Sequence, residues 1–358
     1  MAYTTIDDPS AYFQTALYTG NNSNRSITND GNSDLQPDWI WGKSRSNSDA
    51  HTSTDSSRGN TKVLTPNATE AEGTASDYVT AFNSDGFSLG TNNGMNKNTL
   101  TYVAWQWKAN GGSRTTFNAS GNQLAGGYQA NATAGFSIVD YTGNATNGAT
   151  FPHGLGATPT MAIIKDRTNA GDGGGTNWIA VYTIVDGSTD RLYLNTTAAH
   201  YDLPNGSTEF RADFDSNNVT LGTWNNINAS GTHIAYVFTP IQGYSKFGSY
   251  TGNGSEDGPF VYLGFKPRWI LFKNTGAAEE WVLQDTTRNP NNPVIINIRP
   301  DSNIAEASSS GLDIDFLSNG FKNRSDQAQL NSSGVSYIYM AFAESPFVSS
   351  EGVPTTAR

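Results

Sequence analysis

The sequence predicts an all-β protein: three tandem antiparallel β-sandwich domains, of jelly-roll or lectin-like type, produced by an internal triplication. Three observations predict it. Four short markers recur three times, in constant order and at near-constant spacing. Apolar residues alternate with period two, and no ten-residue stretch carries the 3.6-residue period of a helix. Turn signals such as Asp-Gly and Asn-Gly separate short apolar runs throughout.

The first marker opens each copy: LYTGNN (17–22), DYTGNA (140–145) and SYTGNG (249–254). The second is a Pro-led strand: PDWIWGK (37–43), PTMAIIK (159–165) and PRWILFK (267–273), each with six residues from Pro to Lys. These runs are almost continuously apolar, which suits a strand covered on both faces, and Pro suits a strand's first residue. The third marker is FNSDGF (82–87), FDSNNV (214–219) and FLSNGF (316–321). The fourth is the closing strand, beginning at Tyr102, His233 and Tyr337, which lie 20, 19 and 21 residues after Phe82, Phe214 and Phe316. Its large apolar residues share one face: Val103, Trp105, Trp107; Ile234, Tyr236, Phe238; Ile338, Met340, Phe342. That face is expected to be core, with each copy closing its own apolar interior. The Tyr/Ala face is expected to be half exposed.

A period near 110 residues exceeds a solenoid repeat of about 20–50 and matches a whole small β-domain. The expected boundaries are residues 1–108, 134–241 and 242–347, with a tail over 348–358. The Gly/Asn/Ala-rich stretch 109–133 reads as a linker or an excursion. The short junction TPIQGYSKFG (239–248) brings the second and third domains into contact. NATEAEGTASDYV (67–79) is the nearest approach to a helical turn.

Among 358 residues there is no cysteine, which excludes disulfides and Cys–zinc sites. Charged residues are 15%, against about 25% in an average protein. The polar surface is built from Asn, Ser, Thr and Gly, residues that favour turns. A net charge of −11 without a basic cluster argues against nucleic acid. The opening MAYTTIDDPS has no basic and then apolar region, so no secretory signal is expected, and no apolar run approaches the roughly 20 residues of a membrane span. The expectation is a soluble protein made in a cytoplasm.

Few residues invite chemistry. GFSLG (86–90) matches the Gly-x-Ser-x-Gly elbow, but Asn-rich sequence follows it and the other copies lack the serine. His51, His153, His200 and His233 share no metal-ligand spacing, and His233 stands where its sister strands carry Tyr102 and Tyr337. Asp213 and Asp215, and Asp313 and Asp315, lie in acidic Asn-rich clusters that could hold calcium or simply bond to nearby backbone. Glu279, Glu280 and Asp285 near Trp281 are the closest thing to a glycosidase acid pair with a sugar-stacking ring, but Trp281 sits in an apolar run and reads rather as core. Tyr102, Tyr337, Tyr339 and Trp281 are the candidate binding aromatics. Lys43, Lys165 and Lys273 continue an apolar face three times, so a structural role is expected, as rim-snorkelling groups or ion pairs, with Asp85 a candidate partner for Lys43. No cofactor is expected.

The phrases AGFSIVDYTGNA, GLGATPTMAIIKDR, GSYTGNGSEDGPFVYLGFKPRWILFK, DFLSNGFK and YIYMAFAESPFV resemble a β-rich repeat family of bacteriophages infecting marine bacteria, of cyanophage and pelagiphage type. The resemblance spans essentially the whole chain, most closely 134–348 and more loosely 16–107. It implies a virion component, of tail-fibre or tail-associated kind, synthesised in the bacterial host's cytoplasm. Its implied partners are other virion proteins and host-surface polysaccharide, with homo-oligomerisation, as a trimer first, and no insertion into a membrane. It brings no catalytic motif. The expected function is a non-catalytic exterior part: fibre, appendage or capsid-surface knob. The alternative is a polysaccharide-degrading tailspike.

Overall fold

The computed structural model describes residues 2–168, 176–203, 207–308 and 311–355. The protein is all-β, with several antiparallel sheets. Within each of the spans 1–108, 134–241 and 242–347, four strands keep one order: opening, closing, Pro-led, then a fourth strand. These are Phe13–Thr19, Thr101–Trp107, Trp39–Ser44 and Thr52–Asp55 in the first segment. They are Phe136–Thr142, Thr232–Phe238, Met161–Asp166 and Ile179–Tyr182 in the second. They are Ser245–Thr251, Ser336–Pro346, Phe265–Asn274 and Val282–Asp285 in the third.

Register turns the alternation into three matched layers. Trp39 pairs with Trp107, Met161 with Phe238, and Trp269 with Phe342. Next come Trp41 with Trp105, Ile163 with Tyr236, and Leu271 with Met340. The last layer sets Lys43 opposite Val103, Lys165 opposite Ile234, and Lys273 opposite Ile338. These faces do not close three separate interiors, as expected from sequence. They meet in one cluster. Trp39 stacks on Tyr236 (ring centroids 4.1 Å apart), Trp107 meets Trp269 edge-on (5.7 Å), and Phe238 meets Phe342 (6.2 Å), so every pair of sheets touches. Each aromatic ring buries about 150–250 Å², and here the three ring-bearing faces bury theirs against one another.

The other face of each closing strand is also buried, under a small three-stranded sheet. These outer sheets are Arg25–Ile27, Phe87–Leu89 and Val79–Phe82 in the first segment. They are Ala149–Pro152, Asn218–Leu221 and Ala212–Phe214 in the second. In the third they are Phe260–Tyr262, Gly320–Asn323 and Ile314–Leu317. Each encloses a satellite core with its own four-stranded sheet. The Tyr/Ala face is therefore interior, not half exposed.

The Tyr-Thr-Gly-Asn marker acquires a physical reading here. Its tyrosine stacks on the first residue of the closing-strand marker: Tyr18 on Tyr102, Tyr141 on His233, Tyr250 on Tyr337, at 5.3, 4.9 and 5.1 Å. Its glycine has no room for a Cβ, which would lie 2.2 Å from Lys97 O at Gly20, 2.2 Å from Ala229 O at Gly143 and 2.3 Å from Ser332 O at Gly252. The backbone N–H of its asparagine donates to a fully buried carboxamide: Asn21 to Asn96, Asn144 to Asn228, Asn253 to Asn331.

Residues 109–133 are an excursion rather than a linker. Thr115–Phe117 and Ala125–Asn131 extend the second sheet beyond its opening strand. The turn that begins this stretch is fixed by Asp38, whose carboxylate accepts from the backbone N–H groups of Ala109, Gly111 and Gly112. No helix forms over 67–79. The short helices are Asn93–Asn96 and Asn225–Asn228, with a 3-10 turn at Pro9–Ala11. Residues 348–355 of the tail fold back on the N-terminus, where Ser350 N–H donates to Asp7. Residues 356–358 lie outside the described residues.

Candidate functional site

The three lysines are fully buried. Lys43 Nζ donates to Ser44 O (2.6 Å) and Asn47 O (3.0 Å). Lys165 Nζ donates to Asp166 O (2.7 Å) and Thr176 Oγ1 (2.8 Å). Lys273 Nζ donates to Glu279 O (2.7 Å) and reaches into the second segment at Thr197 O (3.1 Å). Burial pushes all three ammonium groups down to about 8. Asp85 is not the partner of Lys43; its carboxylate accepts from Leu35 N–H.

The candidate binding aromatics all point inward. Tyr102 OH accepts from Lys97 N–H and donates to Asn93 O, and Tyr337 OH repeats this with Ser332 N–H and Ala328 O. Tyr339 and Trp281 are buried as well. The apolar run around Trp281 reads as core and it is core, but strand alternation does not show that both faces are covered, so sequence alone does not reveal that Tyr102, Tyr337 and Tyr339 are enclosed.

The candidate calcium ligands are already engaged. Asp215 accepts from Asn217 and Asn218 N–H, Asp313 from Gly311 N–H, Asp213 pairs with Arg211, and Asp315 pairs with Arg324 at 2.6 Å. Among the described residues no group of three or more His, Asp or Glu is placed to hold a metal ion. Ser88 of the elbow-like motif sits within the strand Phe87–Leu89 and bonds to Ser26 and Asn83. Asp285 is buried under Trp105 and Arg288, and Glu280 is paired with Arg299, so the acid-rich stretch presents no open pair of carboxylates.

Two networks of buried ionic groups lie at seams between segments. Between the first and second, Asp55 Oδ2 holds Arg58 Nε at 2.6 Å and accepts from Tyr236 OH at 2.8 Å. Arg58 continues to Glu72 (3.1 Å), which takes Arg167 in a fork (2.7 and 2.9 Å). Between the third and first, Asp285 holds Arg288 (2.6 Å) and accepts from Trp105 Nε1–H (3.0 Å). Arg288 continues to Glu306 (3.2 Å), which takes Arg45 in a fork (both 2.9 Å).

A second device runs around all three seams. Trp178 Nε1–H donates to Thr65 O and Trp281 Nε1–H to Tyr193 O, each at 2.9 Å. His51 takes the equivalent place: Nδ1 accepts from Trp41 Nε1–H, so Nε2–H faces Arg299 O at 3.1 Å. Burial pushes the His51 imidazole down to about 3, which keeps it neutral in this role. Of these seam residues the sequence singles out His51, Trp281 and Asp285, though not as groups that join segments. The signal is present as Asp-Ser-Ser-Arg (55–58) and Asp-Thr-Thr-Arg (285–288), at the ends of the strands Thr52–Asp55 and Val282–Asp285.

Residues 8–346 match a family described as a domain of unknown function, DUF7483, and the chain belongs to that family. No curated protein and no solved structure matches it.

Proposed function

We propose that the protein is a non-catalytic structural part of a bacteriophage virion exterior, a fibre, appendage or capsid-surface knob that attaches to host-surface glycan. We further propose that its fold is one two-sheet plan of about 110 residues copied three times, the copies sharing a central interior. The observation that carries the reading is where the interior polar groups go. Asp55, Arg58, Glu72, Asp285, Arg288 and Glu306 are all consumed in holding segments together. A chain that seals itself this way without a single cysteine suits a part that folds in a cytoplasm and survives outside it. The phage-repeat resemblance supports the same place of action.

Immunogold labelling of phage particles with antibody against the chain tests the location. Surface label at regular positions is expected, and its absence from intact particles overturns the reading. Incubation with host envelope polysaccharide separates attachment from degradation. Retention without shortened products is expected, and product release favours the tailspike alternative. We also propose that the chain forms a homotrimer, as the phage-repeat resemblance implies; sedimentation of the purified chain at three times the chain mass is expected, and sedimentation as a monomer overturns it.

A further inference from the structure

We propose that Phe260 and Tyr262 form a stacking platform for a neutral polysaccharide, a reading that rests on the glycan-attachment function above. Both lie on the edge strand of the third outer sheet. Val261 between them points into the satellite core, so its two neighbours point out. They are 47% and 48% exposed, and about 7 Å apart along the strand.

The sister segments supply an internal control. Val261, Ile27 and Phe151 occupy one position, since they pair with Phe321, Phe87 and Val219. The flanking places are then Ser26 and Thr28 in the first segment and Thr150 and Pro152 in the second. The sheet is built without rings there, so the fold does not explain the two aromatics of the third segment.

The surroundings hold the platform still. Tyr262 OH lies 3.0 Å from Tyr3 OH, which donates to Gly264 O at 2.8 Å. Lys246 Nζ donates to Tyr262 O at 2.6 Å and lies 5.6 Å from the centre of its ring. Tyr3 also lines a hollow of about 550 Å³ shared with Gln242, Ser350 and Glu351. A sugar ring offers an apolar C–H face and a rim of hydroxyls. The exposed rings suit the first, and the amide, hydroxyl and carboxylate suit the second. The net charge of −11 and the Glu351 carboxylate disfavour an acidic polymer, and Lys246 is already committed to Tyr262. A protein partner would need roughly 600 Å² or more on each side, far beyond two rings.

The test is native-gel affinity electrophoresis of the full chain in dextran, laminarin, xylan and mannan. The wild type should be retarded by at least one polymer, and Phe260→Ala/Tyr262→Ala should bind that polymer at least tenfold more weakly at an unchanged thermal midpoint. If the alanine pair misfolds, Phe260→Leu/Tyr262→Leu keeps apolar cover without π-faces and should show the same loss. Equal retardation of wild type and variant overturns the platform and leaves glycan attachment standing. No retardation of the wild type by any of the four, or by host envelope polysaccharide run alongside them, overturns both.

Discussion

Where the first segment meets the second, Arg58 stands between Asp55 and Glu72, and Glu72 passes the pairing on to Arg167. Where the third meets the first, Arg288, Asp285, Glu306 and Arg45 do the same. Where the second meets the third, the corresponding places hold Tyr182, Val185, His200 and Thr275. Tyr182 faces Met161 as Asp55 faces Trp39 and Asp285 faces Trp269. His200 N–H donates to Thr275 O as Glu72 does to Arg167 O and Glu306 to Arg45 O. The backbone contact is kept while the charges are gone, and among the described residues no ion pair crosses this seam. The indole bond from Trp281 to Tyr193 O and the lysine bond from Lys273 to Thr197 O carry it instead. Nearby Arg191 is enclosed by rings, with Trp224, Phe210 and Tyr201 at 4.0, 4.2 and 4.7 Å. Seam geometry therefore does not depend on the ion network.

Removing one charge where the network exists should separate the two kinds of seam most strongly. Arg288→Met strands the buried Asp285 carboxylate, and a loss of about 3–5 kcal/mol is expected from urea unfolding. Arg58→Met should behave alike at the opposite seam. Val185→Ala, at the same place in the uncharged seam, removes only two methyl groups, and about 1–2 kcal/mol is expected. Equal losses at all three sites would show that the carboxylate–guanidinium pairs play no special part.

Lys273→Met probes what carries the uncharged seam. It leaves Thr197 O and Glu279 O without their ammonium donor, and a loss of about 1–3 kcal/mol is expected by thermal unfolding. No change would mean that solvent replaces the ammonium there.

The lysines also set a pH dependence. Their folded value of about 8 lies below the ordinary 10.5, so between these limits the unfolded chain holds more protons. Stability should therefore rise with pH from about 8 to 10.5, by at most ~1.4 kcal/mol per pH unit for each lysine. The cost of holding them charged is fully present below pH 8. A urea midpoint that falls across this window would contradict the assignment. With Lys273→Met the slope should shrink.

Much of the fold was legible because its signals are local and repeat. The Pro-to-Lys interval and the period-two closing strand fixed strands and register, since a slip of one residue would turn Trp105 and Trp107 away from the core. What local pattern could not carry was the choice between three interiors and one, because alternation says which residues share a face and not which sheet that face meets. The same blindness hides the burial of Tyr102, Tyr337 and Tyr339. An outer three-stranded sheet covers them, and a strand's own alternation does not show that a second sheet lies over it. In 109–133, Gly and Asn read as a linker because the bonds that order the stretch come from Asp38, some seventy residues before it. The exposed Phe260 and Tyr262 sit in an alternating run like many buried ones, and nothing in their own sequence marks which face is free.

The smallest effect is expected at two tyrosine hydroxyls, and it distinguishes the seams most finely. Tyr182 and Tyr236 are both fully buried tyrosines at seams. The Tyr236 hydroxyl donates to Asp55, whereas the Tyr182 hydroxyl has no hydrogen-bond partner among the described residues, because the place an aspartate fills in the sister segments is taken by the tyrosine itself. Deleting one oxygen from each separates bonding from burial. Tyr236→Phe removes a donor from a buried carboxylate and should cost about 1–3 kcal/mol. Tyr182→Phe removes a buried polar atom that bonds to nothing, so the change should lie between zero and about 1 kcal/mol of added stability. Both variants keep ring and volume, so paired unfolding curves read the hydroxyls alone. A clear loss at Tyr182 would reveal a partner for its hydroxyl and make the uncharged seam polar after all.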